Sequence, residues 1–369
     1  MKKYFGKLCM GGVLLFSLSM SLTSCDPYLD DILGEWSRPT PGGNVTPGGG
    51  SSSDEPTPTM EATPLTLEAI TAGTIVVNNP QAGMQFSLNS GAKQAVTTTA
   101  IDVAVGDKVA FYGNGTSIST YSDGTTSTTF GGTAEVKVYG NIMSLVDETG
   151  FAANTTLTAD HTFEELFKGN AKLTDASGLL LPATTLAESC YEDMFNGCKG
   201  LTTLPEKLLP ATTLAKACYF SMFCDCKGLT TLPEKLLPAT EMKLSCYAKM
   251  FQGCTGLTTA PELPATTLTN ACYWAMFSGC SKLIATPHLA ALALYESCYE
   301  SMFNGCTSLT KAYVKAGYKD TDYECSYMFK GCVAAGTKTL HTTTASKTSW
   351  DGVMPSPWAG WTAVDDWND

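Results

Sequence analysis

A five-residue phrase, Met-Phe-x-Gly-Cys, constrains this chain more than any other feature. It begins at Met194, Met250, Met276, Met302 and Met328, and Met222 opens a close variant, Met222-Phe223-Cys224-Asp225-Cys226. Leu166-Phe167-Lys168-Gly169-Asn170 is a degenerate first copy, and successive starts are 28, 28, 28, 26, 26 and 26 residues apart. A repeat of this length is too small to bury its own apolar face, so the units must stack on one another. The two lost residues leave a loop: Leu-Pro-Glu-Lys-Leu-Leu-Pro at 204–210 and 232–238 shortens to Ala-Pro-Glu-Leu-Pro at 260–264. Loops tolerate such changes at little cost.

Within a unit the spacing predicts a helix. Leu186, Cys190, Met194 and Cys198 recur every fourth residue, and Tyr191 with Phe195 forms a neighbouring pair. That pattern makes one apolar helical stripe. Gly197 then reads as the helix stop, and Leu201-Thr202-Thr203-Leu204 as a short strand closed by Pro205. The Ala-Thr-Thr-Leu segment reads as a second strand or as the turn into the helix. The expected core comprises Cys190, Met194, Phe195, Cys198, Leu201, Met250, Phe251, Cys254, Leu257, Met276, Phe277 and Cys280.

Residues 1–24 form an expected lipoprotein signal peptide: Lys2, Lys3 and Lys7 precede an apolar stretch from Gly11 to Leu22. Leu22-Thr23-Ser24-Cys25 resembles a bacterial lipobox, which implies cleavage before Cys25 and lipidation of that residue. Residues 25–60 read as the lipidated start and a flexible linker rich in Gly, Pro, Ser and Thr. Residues 61–150 turn to β-branched alternation, with strands expected at 74–77, 84–88, 101–105, 108–112 and 134–139. They suggest a small all-β immunoglobulin-like sandwich. Residues 151–332 hold the repeats. Residues 333–369, with Trp350, Trp358, Trp361 and Trp367, read as a C-terminal cap, since a repeat stack needs an atypical cover at its end.

The repeat phrase resembles the BspA-like leucine-rich repeat: an aromatic, two spacers, a cysteine, two spacers and a leucine, as in Phe195-Asn196-Gly197-Cys198-Lys199-Gly200-Leu201. The wider chain is similar to Bacteroidales surface lipoproteins of that type in its lipobox, its Tyr-Gly-Asn-Ile-Met-Ser-Leu phrase at 139–145, its Leu-Pro-Ala-Thr-Thr-Leu repeats and its Ala359-Gly360-Trp361-Thr362-Ala363-Val364 end. The resemblance implies an α/β leucine-rich-repeat solenoid, with a short strand plus helix per unit. It also implies an outer-membrane location, lipid-anchored and facing the cell exterior, and a role in adhesion.

Fifteen cysteines are present. Twelve form spaced pairs from 190/198 to 325/332, with Cys224 left over. An exported chain permits disulfides. On a continuous helix, cysteines eight apart lie about 12 Å apart, whereas a bridge needs Cα atoms within roughly 7 Å. Buried thiol ladders are therefore preferred over disulfides between units, and a cysteine metal site is the least favoured reading, since His161, His288 and His341 are scattered and His288 reads as a loop residue.

A formal net charge of −12 argues against nucleic acid, which calls for clustered basic residues. The residues show no nucleophile elbow, catalytic carboxylate pair, phosphate loop or metal motif, so neither an enzyme nor a cofactor is expected. The position two after each repeat cysteine varies: Glu192, Phe220, Ala248, Trp274 and Glu300. Phe220 and Trp274 are the candidate ligand contacts. The leading expectation is a cell-surface lipoprotein, held to the membrane through Cys25, whose repeats bind a host or bacterial surface protein or glycan. The alternatives are a carbohydrate-binding accessory lipoprotein and a passive envelope spacer.

Overall fold

The computed structural model describes residues 59–115, 117–119, 127–354 and 360–367. The signal peptide, Cys25, nearly all of the linker and Trp358 lie outside them. No helix among the described residues is long and apolar enough to cross a membrane.

In the first part of the chain a strand forms at each of the five expected places, and three unexpected ones join them. Together these are β1 (Thr66–Ala69), β2 (Gly73–Asn78), β3 (Gln85–Leu88), β4 (Gln94–Ala95), β5 (Ile101–Val103), β6 (Lys108–Tyr112), β7 (Thr129–Gly132) and β8 (Val136–Asn141). Alternation sets their faces: Ile75 and Val77, Val109 and Phe111, and Val136 and Val138 are buried in a common core. Strands β5-β2-β7 make a three-stranded sheet, while the order β4-β3-β6-β1-β8 continues into β9 (Leu173–Leu180). The β8–β9 pairing is parallel, and β9 belongs to the repeat region. A self-contained immunoglobulin-like sandwich ending near residue 150 is therefore not what forms. Its larger sheet runs on into the first repeat. Gly178 permits that junction, because a Cβ there would sit 2.7 Å from the Tyr139 Cβ. The 139–145 phrase locks it from inside. Buried Asn141 donates to the Glu61 and Phe151 carbonyls at 3.1 and 2.9 Å, and buried Ser144 links the Leu65 N–H to the Phe111 carbonyl, both at 2.9 Å.

The repeats overturn the expected fold class. No unit contains an α-helix, so the strand-plus-helix leucine-rich-repeat solenoid does not stand. The stretch 189–198 is a rung of overlapping turns. Glu192, Met194, Asn196 and Cys198 donate their N–H groups three residues back, to Ser189, Tyr191, Asp193 and Phe195. The intervening residues, Ser189, Tyr191, Asp193, Phe195 and Gly197, donate sideways to carbonyls of the next unit, at Lys216, Cys218, Phe220, Met222 and Cys224, over 2.8–3.0 Å. From Tyr191 to Cys198 each N–H has one partner, by two alternating rules.

Every fourth residue of a rung takes left-handed backbone: Ser189, Asp193 and Gly197 at φ 52°, 55° and 76°. Such a conformation costs roughly 1–2 kcal/mol at a non-glycine residue and is foreign to a right-handed helix. Gly197 is thus the third left-handed position of a rung and caps nothing. The resulting period is four, two residues in and two out: Cys190, Tyr191, Met194, Phe195 and Cys198 are buried, while Glu192, Asp193, Asn196 and Gly197 are half-buried. All twelve expected core residues are fully enclosed.

Aromatic columns run through the rungs. Phe167, Phe195, Phe223, Phe251, Phe277, Phe303 and Phe329 stack with ring centroids 5.3–5.8 Å apart. Phe163, Tyr191, Tyr219, Tyr247, Tyr273 and Tyr299 form a second column at 5.7–6.1 Å. The cysteines complete the lattice. The thiol of Cys198 donates to the Phe167 carbonyl of the preceding unit at 3.0 Å, and Cys226, Cys254, Cys280, Cys306 and Cys332 repeat that bond at 3.0–3.2 Å. The thirteen described cysteines are free thiols, with Cys224 alone among them not buried.

Both ends of the column are covered. At the first rung, the carbonyls of Thr162 and Leu166 accept from Ile118 and Phe130 N–H at 3.2 and 2.7 Å, and the Ser119 hydroxyl donates to Glu164 O at 3.0 Å. Phe130 also stacks on Phe167 at 5.5 Å. At the far end, strands β10 (Ala285–Leu289), β11 (Lys311–Val314), β12 (Lys338–His341) and β13 (Trp361–Val364) form a parallel sheet. Helix α1 (Thr344–Asp351) follows β12. Trp361 lies 4.9 Å from Phe329, and the fully buried Trp350 donates its indole N–H to the Ala316 carbonyl at 2.9 Å.

Candidate functional site

The outward half of each rung is where the units differ. Lateral hydrogen bonds align equivalent positions, so Glu164, Glu192, Phe220, Ala248, Trp274 and Glu300 form one column. Beside it runs a second column of Glu165, Asp193, Ser221, Lys249, Ala275 and Ser301. A third, set by the variable residue of the phrase, holds Lys168, Asn196, Cys224, Gln252, Ser278 and Asn304.

Phe220 and Trp274 are both half-buried on this face. They bracket Lys249, whose ammonium sits 4.2 Å from the Trp274 ring centroid and 5.7 Å from that of Phe220. Ala248, which separates them within the column, is buried, so the two rings rise over a small residue. A lysine held over an indole gains about 0.5–1 kcal/mol at an exposed site. Its stem and the two rings together make an amphipathic surface. Cys224 borders it, its thiol pushed up to about 11 by burial and then by Asp225 and Asp193, which makes it a poor nucleophile.

The N-terminal end of the same face is acidic. Lys168 joins Glu165 to Asp193, the latter at 2.7 Å. The Glu164 carboxyl is pushed up to about 7, first by burial and then by Glu192, Glu165 and Asp193, against Lys168. Glu192 is also held above the ordinary range, chiefly by burial. His161 Nδ1 lies 3.2 Å from Glu164 Oε2.

The sheet side carries a different feature. His288 lies on β10, in a strand and not a loop. It stacks on Tyr313 of β11 at 4.4 Å, which stacks on His341 of β12 at 4.6 Å. Trp367 tilts over His288 at 5.3 Å, and His341 Nδ1 meets Asp366 at 2.8 Å. These rings cover one another's faces. The threonine columns are structural: Thr202 and Thr258 hydroxyls each donate to the Thr174 and Thr230 carbonyls of the preceding unit at 3.1 Å.

Sequence reasoning picked out Phe220 and Trp274 by comparing one column between units. It named Glu192 in that column but missed Lys249, His161 and Glu164, because the comparison stopped at one position per unit and left out the degenerate first copy. Aligning the units at every position, and not only at the one two after the cysteine, would have brought them together. Comparison with protein-family models, with curated proteins and with solved structures found no match to this chain.

Proposed function

We propose that this chain is an exported lipoprotein, anchored through Cys25 at the outer membrane, that binds a partner at the cell surface through the outward face of its rungs. The observation that carries this reading is the contrast within each rung. The inward positions repeat almost unchanged, while the outward columns vary and gather Phe220, Lys249 and Trp274 into one patch. Constant positions serve the stack, and variation is spent where a partner can touch. Trp274 is of the residue type most enriched among interface anchors. The lipobox-like ending before Cys25, the linker and the BspA-like form of the repeat phrase support the same reading. So does the lack of a recognisable catalytic constellation in the sequence.

The test uses the whole exported chain, because the first sheet extends into the repeats. Immobilised protein is presented to host matrix proteins, epithelial surface extracts, bacterial surface extracts and a glycan array. Specific capture that falls at least about tenfold in Trp274→Ala, as expected for an interface anchor, with an unchanged melting temperature, supports the proposal. Capture confined to the glycan array turns the reading toward a carbohydrate-binding accessory protein. Empty screens throughout leave a passive spacer.

A further inference from the structure

The geometry points to a divalent-cation site formed by His161, Glu164 and Glu192 at the N-terminal end of the outward face. One ligand atom from each of the three residues lies within 4.8 Å of the other two. Histidine nitrogen and carboxylate oxygen bind Zn2+ at about 2.0–2.2 Å, which puts neighbouring ligands of a tetrahedral ion roughly 3.4 Å apart. The 3.2 Å between His161 Nδ1 and Glu164 Oε2 already matches that separation. One nitrogen and two oxygens suit Zn2+ and other first-row divalent ions, and three protein ligands leave a coordination position open.

Three further observations favour a cation here. The ligands do not depend on a loop. His161 is fixed in left-handed backbone at φ 57°, its N–H bonds to the Glu188 carbonyl at 2.9 Å, and its own carbonyl accepts from Glu164 N–H at 3.2 Å. Glu192 comes from the next rung, and its carbonyl is held by Glu165 N–H at 2.9 Å. The donor set is thus built across two rungs whose relative position the lateral bonds determine. Second, the side chains are sheltered, with 18% of His161 and 12% of Glu164 exposed, so an ion would exchange much of its water for protein. Third, four carboxyls crowd this corner and its nearby lysine, Lys168, is already engaged by Glu165 and Asp193. A dication supplies the positive charge that the chain itself leaves short. The inference does not rest on the proposed binding role.

Co2+ titration of the full-length protein in detergent, followed by absorption spectroscopy, tests the site. Cobalt reports its ligands, so sulfur ligation by any of the cysteines is seen directly as a near-ultraviolet charge-transfer band. The expected result is one equivalent bound, with visible bands of a nitrogen and oxygen site, no sulfur band, and displacement by Zn2+. His161→Gln and Glu192→Gln should each weaken binding by at least about tenfold, the lower range seen even for residues that only support metal ligands. Glu206→Gln, in the exposed loop at 204–210, should leave it unchanged. No visible band, a sulfur band, or wild-type affinity in both ligand variants overturns the site. Because the wild-type titration alone decides the first two outcomes, misfolding of a variant cannot rescue the proposal.

Discussion

At the residue scale, the cysteines show how burial and bonding replace the covalent role that an exported chain permits. Each Gly-Cys thiol spends its hydrogen on a phenylalanine carbonyl of the unit before it, which a disulfide would forfeit. Burial pushes Cys190, Cys198, Cys246 and Cys332 up to about 12 from an ordinary value of 9.0. It also raises the phenols of Tyr191, Tyr219, Tyr247, Tyr273 and Tyr299 well above 10.0. The sign of the linkage follows. The folded state resists losing these protons, so the stabilisation is fully present below pH 9.0 and is lost as pH rises past it toward 12. Each fully coupled group contributes a slope of about 1.4 kcal/mol per pH unit in that window. The melting temperature should therefore be nearly flat from about pH 7, above the Glu164 titration, to pH 9 and fall steeply above it. A melting temperature that ignores pH above 9 would count against buried thiols and phenols. Titrating the unreduced, guanidine-unfolded protein for thiols checks the same lattice from the other side, since disulfides would leave it nearly blank.

At the element scale, the stack was legible from the sequence and the form of its unit was not. The repeat length, the core residues, the position of the shortened loop and most early strands follow from spacing and alternation. The rung does not, because a four-residue period and a 3.6-residue helix place Cys190, Met194 and Cys198 alike over so short a stretch. What separates them is drift: a helix carries its stripe around by about 40° every four residues, and the rung does not. The lateral bonds that stabilise left-handed Ser189 and Asp193 exist only once two units lie side by side, so one unit's residues cannot announce them. Glycine tests the left-handed geometry of the rung. In the rung, Gly279 sits at φ 79° with a Cβ position 3.6 Å from Gly253, so Gly279→Ala should destabilise by about 1–2 kcal/mol. Chemical denaturation of the purified variant reads the sign directly.

For the molecule as a whole, the ends matter as much as the repeats. Phe130 of β7 and the Ile118–Ser119 segment supply donors to the open carbonyls of the first rung, and Trp350 and Trp361 close the last ring of the phenylalanine column. The tryptophan-rich end was visible as a cover from composition. The bonds that hold the first rung were not, since Ile118 and Phe130 donate through backbone groups that carry no side-chain signature. Removing residues 333–369 should uncover Phe329 and strip β12 and β13 from the far sheet. The truncated protein should aggregate or melt at least 10 °C lower, roughly the shift expected for a loss of several kcal/mol, as read by light scattering during a thermal ramp. A soluble monomer with the wild-type melting temperature would mean that the last rung needs no cover.

The even ring spacing of 5.3–5.8 Å gives this architecture a consequence for its history. Because each rung presents to the next the same bonds it receives, copying one unit in the gene leaves both termini chemically intact. The product is the same object, longer by one ring. Such a chain can change its reach in fixed increments through unequal recombination, with no new core to invent, and then diverge on its outward columns alone.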